Sequence, residues 1–487
     1  MKAITRILIS TFCLFYAGLL FSQSEKTMPF TLQQIVEIAK DQSIAARQAA
    51  TLKTTRYWEW RSFQADLKPQ LLLTGTLPDF NRTFQPITQP SGTIDFQSIS
   101  NNNARLSLEL QQNIPATGGT LFVQSNLQRF DDFNPRKTLY NGAPILIGFS
   151  QPLFQFNPWK WDKQIEPLKY QESQQQFIFE MEELAGQAVD LYFNLLSAQI
   201  NLQIATINQI NTDTLYAIAQ ERLQLGKASK NDVLQLKLET LNARKALASA
   251  QQDVQSRTLQ LRSFIGYRES SRVELALPNS IPPFSVDAAE ALQQALVNRP
   301  DAIGFQRQIL EAKRDVAQAK GETGLQMALT GGFGLSKSGQ QFGEVYSNPQ
   351  DLENLRLQLT IPIMDWGRTK SRRETVLAEQ QLTQYQVEQD RLNFENEIQT
   401  QVTLLEMFRT QVLLTTEADQ IATERYEIAQ NRYILGDLSI TDLSIALQEK
   451  DRAKRDYVLA LWDFWAAYYN LRRLTLYDFE NNRKIAE

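Results

Sequence analysis

The chain has 487 residues, a formal net charge of −4, no histidine and a single cysteine, Cys13. This acidic balance excludes the strongly basic field that attracts nucleic acids. An enzyme built from this chain would lack the most frequent general base and the most frequent zinc ligand. We therefore predict a protein without enzymatic activity, cofactor, metal site or nucleic-acid partner.

The chain begins with a pattern typical of a targeting segment. Lys2 and Arg6 precede an apolar run from Ile7 to Leu20, and the sequence then turns polar. This order predicts a secretory signal peptide over residues 1–23, removed in the mature protein. A membrane anchor is the alternative, but the run is shorter than the roughly 20 residues that a spanning helix requires. Because no later stretch approaches such a helix, any membrane crossing must use strands.

Two parts of the sequence resemble each other at a constant offset of 210 residues. Arg222-Leu223-Gln224-Leu225-Gly226 corresponds to Arg432-Tyr433-Ile434-Leu435-Gly436. A fixed offset indicates two copies of one structural unit. We predict a first helix-strand-strand-helix repeat over 24–270, a linker over 271–286, a second repeat over 287–477 and a C-terminal tail over 478–487.

Each repeat contains two stretches that predict unusually long helices. Residues 368–435 contain neither glycine nor proline, and residues 168–225 are interrupted only by Gly186. A Leu-Gly turn follows each stretch, and further helices are predicted over 232–265 and 442–476. The pattern predicts antiparallel hairpins with narrow apolar seams, close to coiled-coil packing. The seam positions are Leu234, Leu238, Leu241 and Leu247 in the first hairpin, and Leu404, Leu405, Phe408 and Val412 in the second.

Strand patterns lie between the helices. Alternating apolar residues predict strands over 104–112, 121–127 and 145–153 in the first half, and over 327–335 and 355–363 in the second. Strands of this length and period match a transmembrane β-barrel, although a soluble sheet has the same pattern. The first half also has an extra hairpin at Gly118-Gly119 and an insertion over 80–103. We interpret the insertion as an extracellular loop, and both features leave the strand count open.

A membrane barrel would require more than one copy of the chain. Backbone groups in lipid must pair internally, so an open sheet edge is not tolerated there. One strand pair per repeat is too few to close a cylinder, because the smallest outer-membrane barrels have eight strands. The sequence therefore predicts a homo-oligomer.

The order of elements resembles the outer membrane efflux protein family, the TolC-like outer membrane factors. Three motifs carry the resemblance, which covers essentially the whole mature chain: Asn298-Arg299-Pro300-Asp301, Ile361-Pro362-Ile363-Met364-Asp365-Trp366-Gly367-Arg368 and Arg432-Tyr433-Ile434-Leu435-Gly436-Asp437-Leu438-Ser439. The resemblance implies a homotrimer that shares one twelve-stranded barrel in the outer membrane lipid. A long α-helical coiled-coil tunnel would continue the barrel through the periplasm.

The resemblance also assigns roles at the hairpin tips. Asp442 aligns with an aspartate that lines the narrow periplasmic entrance, while Asp232 and Tyr433 align with partners in the bonds that hold this entrance shut. The arginine of that lock falls at Leu438, and a second entrance aspartate falls at Ile445, so this chain departs from the family pattern. A purely structural role is the alternative for both aspartates, because each lies three residues after a serine and fits a helix-capping box.

The tip loops are the expected docking site for a periplasmic adaptor. The loops consist of Gly226, Lys227, Ala228 and Ser229 in the first repeat and Gly436, Asp437, Leu438 and Ser439 in the second. Glycine also has a backbone explanation, because a helix often ends in a left-handed residue. Both interpretations stay open on the sequence alone.

Two functions from different classes are compatible with these patterns. The first is a passive exit duct recruited by an adaptor and an inner-membrane pump of the RND or ABC type. The second is a secreted coiled-coil scaffold that never forms a pore. Solubility that depends on detergent, and single-channel current in lipid bilayers, would distinguish them.

Overall fold

The computed structural model describes residues 29–267, 273–278 and 280–486. The predicted signal peptide over 1–23 lies outside the described residues. Within the described ranges, none of the helices combines the length and the apolar character that a membrane span requires.

Eight α-helices account for most of the described chain. They are α1 (Leu32–Gln42), α2 (Ile44–Asp66), α3 (Pro158–Gln224), α4 (Lys230–Ile265), α5 (Ala288–Asn298), α6 (Pro300–Thr323), α7 (Arg368–Leu435) and α8 (Ile440–Thr475). The helices α3 and α7 have 67 and 68 residues, so each is roughly 100 Å long at about 1.5 Å per residue. Each of them packs antiparallel against the helix that follows it, and α3 also packs against α8.

The bounds of the long helices agree closely with the sequence patterns. The helix α7 covers the predicted 368–435 without a change. The helix α3 begins at Pro158, ten residues before the predicted start, and continues through Pro167. The corresponding helices α4 and α8 begin at Lys230 and Ile440, which are 210 residues apart.

Seven of the described strands form one antiparallel sheet. They are β1 (Gln70–Thr76), β2 (Phe80–Thr88), β3 (Ile94–Ile114), β4 (Gly119–Phe133), β5 (Arg136–Leu153), β6 (Gln326–Gly339) and β7 (Gln350–Thr360). Their order is β1-β3-β4-β5-β6-β7, and β2 pairs with β3 on the same side as β1. The sheet of a single chain is open, with β1 at one edge and β7 at the other. A separate two-stranded pair consists of β8 (Tyr477–Asp478) and β9 (Arg483–Lys484).

The first half contributes more strands than the sequence patterns predict. The insertion over 80–103 is not an irregular loop, because it forms β2 and the first part of β3. The extra hairpin at Gly118-Gly119 joins β3 to β4, and both strands belong to the main sheet. The alternation in 80–103 is hidden from a hydrophobic pattern because its polar and apolar residues are both exposed.

The predicted apolar seam of the first hairpin is wrong for α4. Leu234, Leu238 and Leu241 are 55%, 60% and 54% exposed, whereas Leu236 is fully buried. Thr240 shares the buried face, and its hydroxyl donates to the Thr212 carbonyl on α3. The second hairpin follows the prediction, since Leu405 and Val412 are buried.

A buried ion cluster ties the ends of the chain to the long helices. Glu182 on α3 is fully buried and forms ion pairs with Lys40 on α1 and Arg472 on α8. Arg472 also contacts Asp478 at 2.9 Å. Asp478 is itself buried, so the C-terminal tail is anchored at its first residue, although the charged sequence of 478–487 suggested a peripheral segment.

The described part of the predicted linker lies against the helices. The Gln199 side chain donates to the Val273 carbonyl at 2.7 Å and accepts from the Leu275 amide at 3.1 Å. Arg409 on α7 donates to the carbonyls of Pro282 and Phe284. These contacts hold the connection between the two halves on the long helices, away from the hairpin tips.

Candidate functional site at the hairpin tips

The turn of the first hairpin is defined by its backbone conformation and its capping residues. Gly226 has a φ of +69°, in the left-handed region that favours glycine. Ser229 then begins α4 as its N-cap, and its hydroxyl accepts from the Asp232 amide at 3.1 Å. The Asp232 carboxylate accepts from the Ser229 amide, also at 3.1 Å. This is the predicted capping box.

The turn of the second hairpin follows the same plan with one difference. Gly436 has a φ of +94°, and the Ser439 hydroxyl accepts from the Asp442 amide at 3.2 Å. The Ser439 hydroxyl in turn donates to the Asp442 carboxylate at 2.7 Å. Asp442 is exposed, so its charge is available to solvent in a way that a buried cap is not.

The four helix ends at the tips enclose a small apolar core. Its buried members are Leu215, Ala219, Leu236, Tyr426, Ala429, Tyr433, Ile440, Leu443 and Ala446. Leu438 packs against this core, so it is not a freely exposed loop residue as the docking prediction supposed. Lys227 and Asp437 are exposed, and Ala228 is half-buried.

Tyr433 lies in this core beside charges from the other hairpin. Burial raises the pKa of the Tyr433 hydroxyl; Arg222 opposes this effect, whereas Asp232 and Glu239 add to it. Tyr433 and Asp232 are therefore close enough to interact electrostatically, as the resemblance implies. The Tyr433 ring also has the Arg222 guanidinium at 5.6 Å from its centroid.

Arg222 is the tip residue that the sequence interpretation missed. Its Nη2 donates to the Ile434 carbonyl at 2.8 Å, and its Nη1 approaches the Tyr433 carbonyl at 3.5 Å. Both carbonyls belong to the last turn of α7, where backbone acceptors have no partner within the helix. A cation at this end also interacts favourably with the helix dipole. Arg222 thus joins the end of α3 to the end of α7.

Further polar contacts connect the two hairpins above the tips. The Asn211 amide group donates to the Tyr426 hydroxyl at 3.1 Å. The Ser444 hydroxyl donates to the Glu239 carboxylate at 2.9 Å. Asn208 on α3 also donates to Asp451 on α8. Ser444 and Asp451 line a groove of about 890 Å³ between the hairpins.

This arrangement offers charge and mobility rather than chemistry. Among the residues that the structure describes, there is no group of three or more metal-ligating side chains placed to hold an ion. The tips instead combine exposed acids, left-handed turns and a few polar bonds between two otherwise separate hairpins. Such contacts suit a part of the molecule that is able to change its spacing.

Comparisons with known proteins agree with this architecture. The family model described as "Outer membrane efflux protein" matches residues 98–267 and 291–475. No curated protein sequence matches the chain. Among solved structures, the Campylobacter jejuni CmeC outer membrane channel is similar with a TM-score of 0.66 at 15% identity, over 94% of this chain and 87% of that one.

Two further solved structures show the same similarity. The Neisseria gonorrhoeae MtrE outer membrane channel in its open state has a TM-score of 0.61 at 15% identity, over 94% of this chain and 91% of that one. The outer membrane protein VceC from Vibrio cholerae has a TM-score of 0.57 at 14% identity, over 91% and 95% of the two chains. These structural likenesses establish a shared fold.

Proposed function

The chain belongs to the outer membrane efflux protein family, and on that premise we propose that it is the exit duct of a tripartite efflux or type I secretion system. It is an outer membrane protein with a periplasmic helical extension. Its family relatives are channels rather than enzymes. In the proposed role, solutes pass through it without an energy-consuming step of its own.

The observation that carries the proposal is an open sheet whose outward face is apolar. Leu71 and Leu73 on β1 lie opposite Leu110 and Leu108 on β3, and cross-strand partners point to the same face of a sheet. The apolar face continues through Val123, Ile147 and Phe333 to Leu355, Leu357 and Leu359 on β7, all of them exposed in the single chain. An apolar face of this size suits contact with lipid.

The two free edges support assembly of several copies. Backbone groups at β1 and β7 would remain unpaired in lipid, which is strongly unfavourable. The strands β1 and β7 run in opposite directions along the sheet, so β7 of one copy is able to pair antiparallel with β1 of the next. Three copies are the number that the family resemblance implies.

The proposed barrel has more strands than the family pattern of twelve. The strands β1 and β2 share one side of β3, so each copy fills six strand positions across the sheet. Three copies times six positions give about eighteen strands, a number at which barrels leave a water-filled channel. The additional two positions per copy come from the hairpin at Gly118-Gly119.

The hairpin tips would form the periplasmic entrance. We assign the gate to Asp442, Asp232 and Tyr433, with Arg222 as the cation that the family pattern places elsewhere. The loops around Gly226 and Gly436 are the proposed docking site for a periplasmic adaptor, which links the duct to an inner-membrane pump of the RND or ABC type.

Purified protein in planar lipid bilayers tests the proposal. We expect detergent-dependent solubility, a trimeric mass in detergent and discrete conductance steps. A monomer that stays soluble without detergent and carries no current would overturn the duct and favour the scaffold interpretation.

A further inference from the structure

The exposed leucines of α4 occupy positions whose counterparts on α8 lie in an internal interface. Leu234, Leu238 and Leu241 lie 210 residues before Ser444, Gln448 and Asp451. Those three polar residues line the groove in which α8 faces the first hairpin. The same helix position is therefore polar where it meets the first hairpin of its own chain, and apolar where no part of the described chain covers it.

The helix α7 carries a matching apolar stripe. Met407, Leu414, Ile421, Ile428 and Leu435 follow one another at intervals of seven residues, and they are 50%, 64%, 59%, 53% and 77% exposed. An unbroken seven-residue repeat places such side chains along one seam and is typical of helices that pack as a coiled coil. Nothing within the chain's own described residues covers this seam.

The internal interface shows how the two stripes fit together. On α3, Asn208 bonds to Asp451 of α8. The counterparts of this pair, 210 residues away in each case, are Ala418 on α7 and Leu241 on α4. Both Ala418 and Leu241 are exposed in the single chain. The polar pair inside the chain thus corresponds to an apolar pair on two surfaces that a single chain leaves apart.

We propose that the leucine face of α4 packs against the α7 stripe of a second copy of this chain, in the geometry that α8 and α3 adopt within one copy. The contact is heterologous, since one copy uses α4 and its neighbour uses α7. Repetition of a heterologous contact generates a closed ring when the rotation between copies permits it. The inference rests on the proposed oligomeric duct and names the surfaces that hold it together below the membrane.

The same correspondence assigns a partner to Arg432. Its counterpart Arg222 bonds to the Ile434 carbonyl at the end of α7. The counterpart of Ile434 is Gln224, the last residue of α3. Arg432 is exposed in the single chain, and in the proposed ring it donates to the end of α3 in the neighbouring copy. Every hairpin tip would then be tied to the next one by an arginine.

The two kinds of interface differ in character. The interface within a chain relies on polar bonds such as Asn208 with Asp451, whereas the interface between chains is apolar. Apolar contacts lose free energy steadily as their surface becomes exposed, and polar contacts between wet surfaces exchange readily with water. A tip that opens would separate first along the polar interfaces, leaving three pairs of hairpins from neighbouring copies.

Chemical cross-linking tests the proposed register. The double variant Ala418→Cys with Leu241→Cys, in a Cys13→Ser background, is treated with a short bis-maleimide in intact membranes. This reagent is preferable to a disulfide, which requires Cα atoms within about 4.4–6.8 Å. We expect covalent dimers and trimers on a denaturing gel. The matched control, Asn208→Cys with Asp451→Cys, should link within one chain and migrate as a monomer.

A pair of single variants provides a second measurement. Leu238→Asp places a charge in the proposed interface, while Ile210→Asp changes a residue of equal exposure on α3 that lies outside it. We expect at least a tenfold loss of assembled protein for Leu238→Asp and little loss for Ile210→Asp.

The outcomes separate the inference from the proposed function. If the assembly persists but residues 418 and 241 do not link chains, or if Leu238→Asp assembles normally, this interface is wrong and the duct stands. If the unmodified protein is a monomer in detergent, the duct and the interface both fail.

Discussion

Arg222 and Ile434 lie 212 residues apart in the sequence, and the Arg222 guanidinium donates to the Ile434 carbonyl across 2.8 Å. This bond connects the end of one long helix to the end of another that belongs to the other half of the chain. It satisfies a terminal carbonyl and places a positive charge at the negative end of the helix dipole. The family pattern has its lock arginine at position 438, where this chain has leucine, and Arg222 supplies a cation from the opposite hairpin.

Loss of this arginine should shift the entrance toward its open form. A hydrogen bond to a charged group contributes about 1.5 kcal/mol or more, which corresponds to roughly a tenfold change in the closed-to-open ratio per copy. We expect Arg222→Gln to raise the resting single-channel conductance several-fold. Arg244→Gln is the control, because Arg244 forms an exposed ion pair with Asp213 on the same hairpin. Equal conductance of wild type and Arg222→Gln would show that the bond does not hold the entrance.

Asp442 should contribute to the charge of the entrance. Its carboxylate is exposed at the tip and accepts a bond from Ser439. The variant Asp442→Asn retains an acceptor for that bond but loses the charge, so the fold should be preserved while cation selectivity and block by divalent ions decrease. Asp437→Asn, which changes an exposed acid in the preceding turn, serves as the control. Unchanged selectivity in Asp442→Asn would leave Asp442 with a capping role only.

The long helices could be predicted because local signals determine them. No glycine or proline lies between Arg368 and Leu435, and Gly436 ends the helix with a positive φ. The start of α3 was missed because Pro167 normally ends a helix, at a cost of about 3 kcal/mol. Here the helix continues past it, and only the packing of the surrounding helices could reveal that.

The packing of α4 and the role of Arg222 could not be predicted from the sequence. Leu234, Leu236 and Leu238 lie on different faces of α4, and an apolar pattern does not say which of these faces meets the chain's own hairpin. The structure buries Leu236 and exposes the other two. Arg222 belongs to the repeated motif, but its partner is identified only when the two hairpin tips are seen side by side.

The buried carboxylate of Glu182 should be essential for stability. It lies between Lys40 and Arg472, and its removal leaves two cations without their shared partner. Breaking a buried ion pair in this way costs about 3–5 kcal/mol. We expect Glu182→Gln to lower the unfolding midpoint in detergent markedly, whereas Glu183→Gln, at the exposed neighbouring position, should change it little. A Glu182→Gln protein as stable as wild type would show that the cluster is dispensable.

The same cluster predicts a pH dependence with a definite sign. Burial alone would raise the pKa of Glu182, but Lys40 and Arg472 outweigh it and hold the pKa below its ordinary value. A carboxylate whose pKa is lower in the folded state stabilises the protein above its unfolded-state pKa, and this contribution is lost as the pH falls through the folded-state pKa. The difference in midpoint between wild type and Glu182→Gln should therefore be large at neutral pH and shrink in acid. A difference that stays constant down to strongly acidic pH would contradict this assignment.

The exposed tip loops should carry the adaptor contact. A bulky residue at Leu438 is a poor test, because Leu438 packs against the tip core and its replacement would disturb the fold. Ala228→Trp combined with Asp437→Trp changes the loop surface while leaving that core intact. We expect this double variant to lose co-purification with its periplasmic adaptor but to keep its bilayer conductance. Ala248→Trp, at an exposed position farther along α4, should retain both properties. If the adaptor still co-purifies with the double variant, the docking surface lies elsewhere on the hairpins.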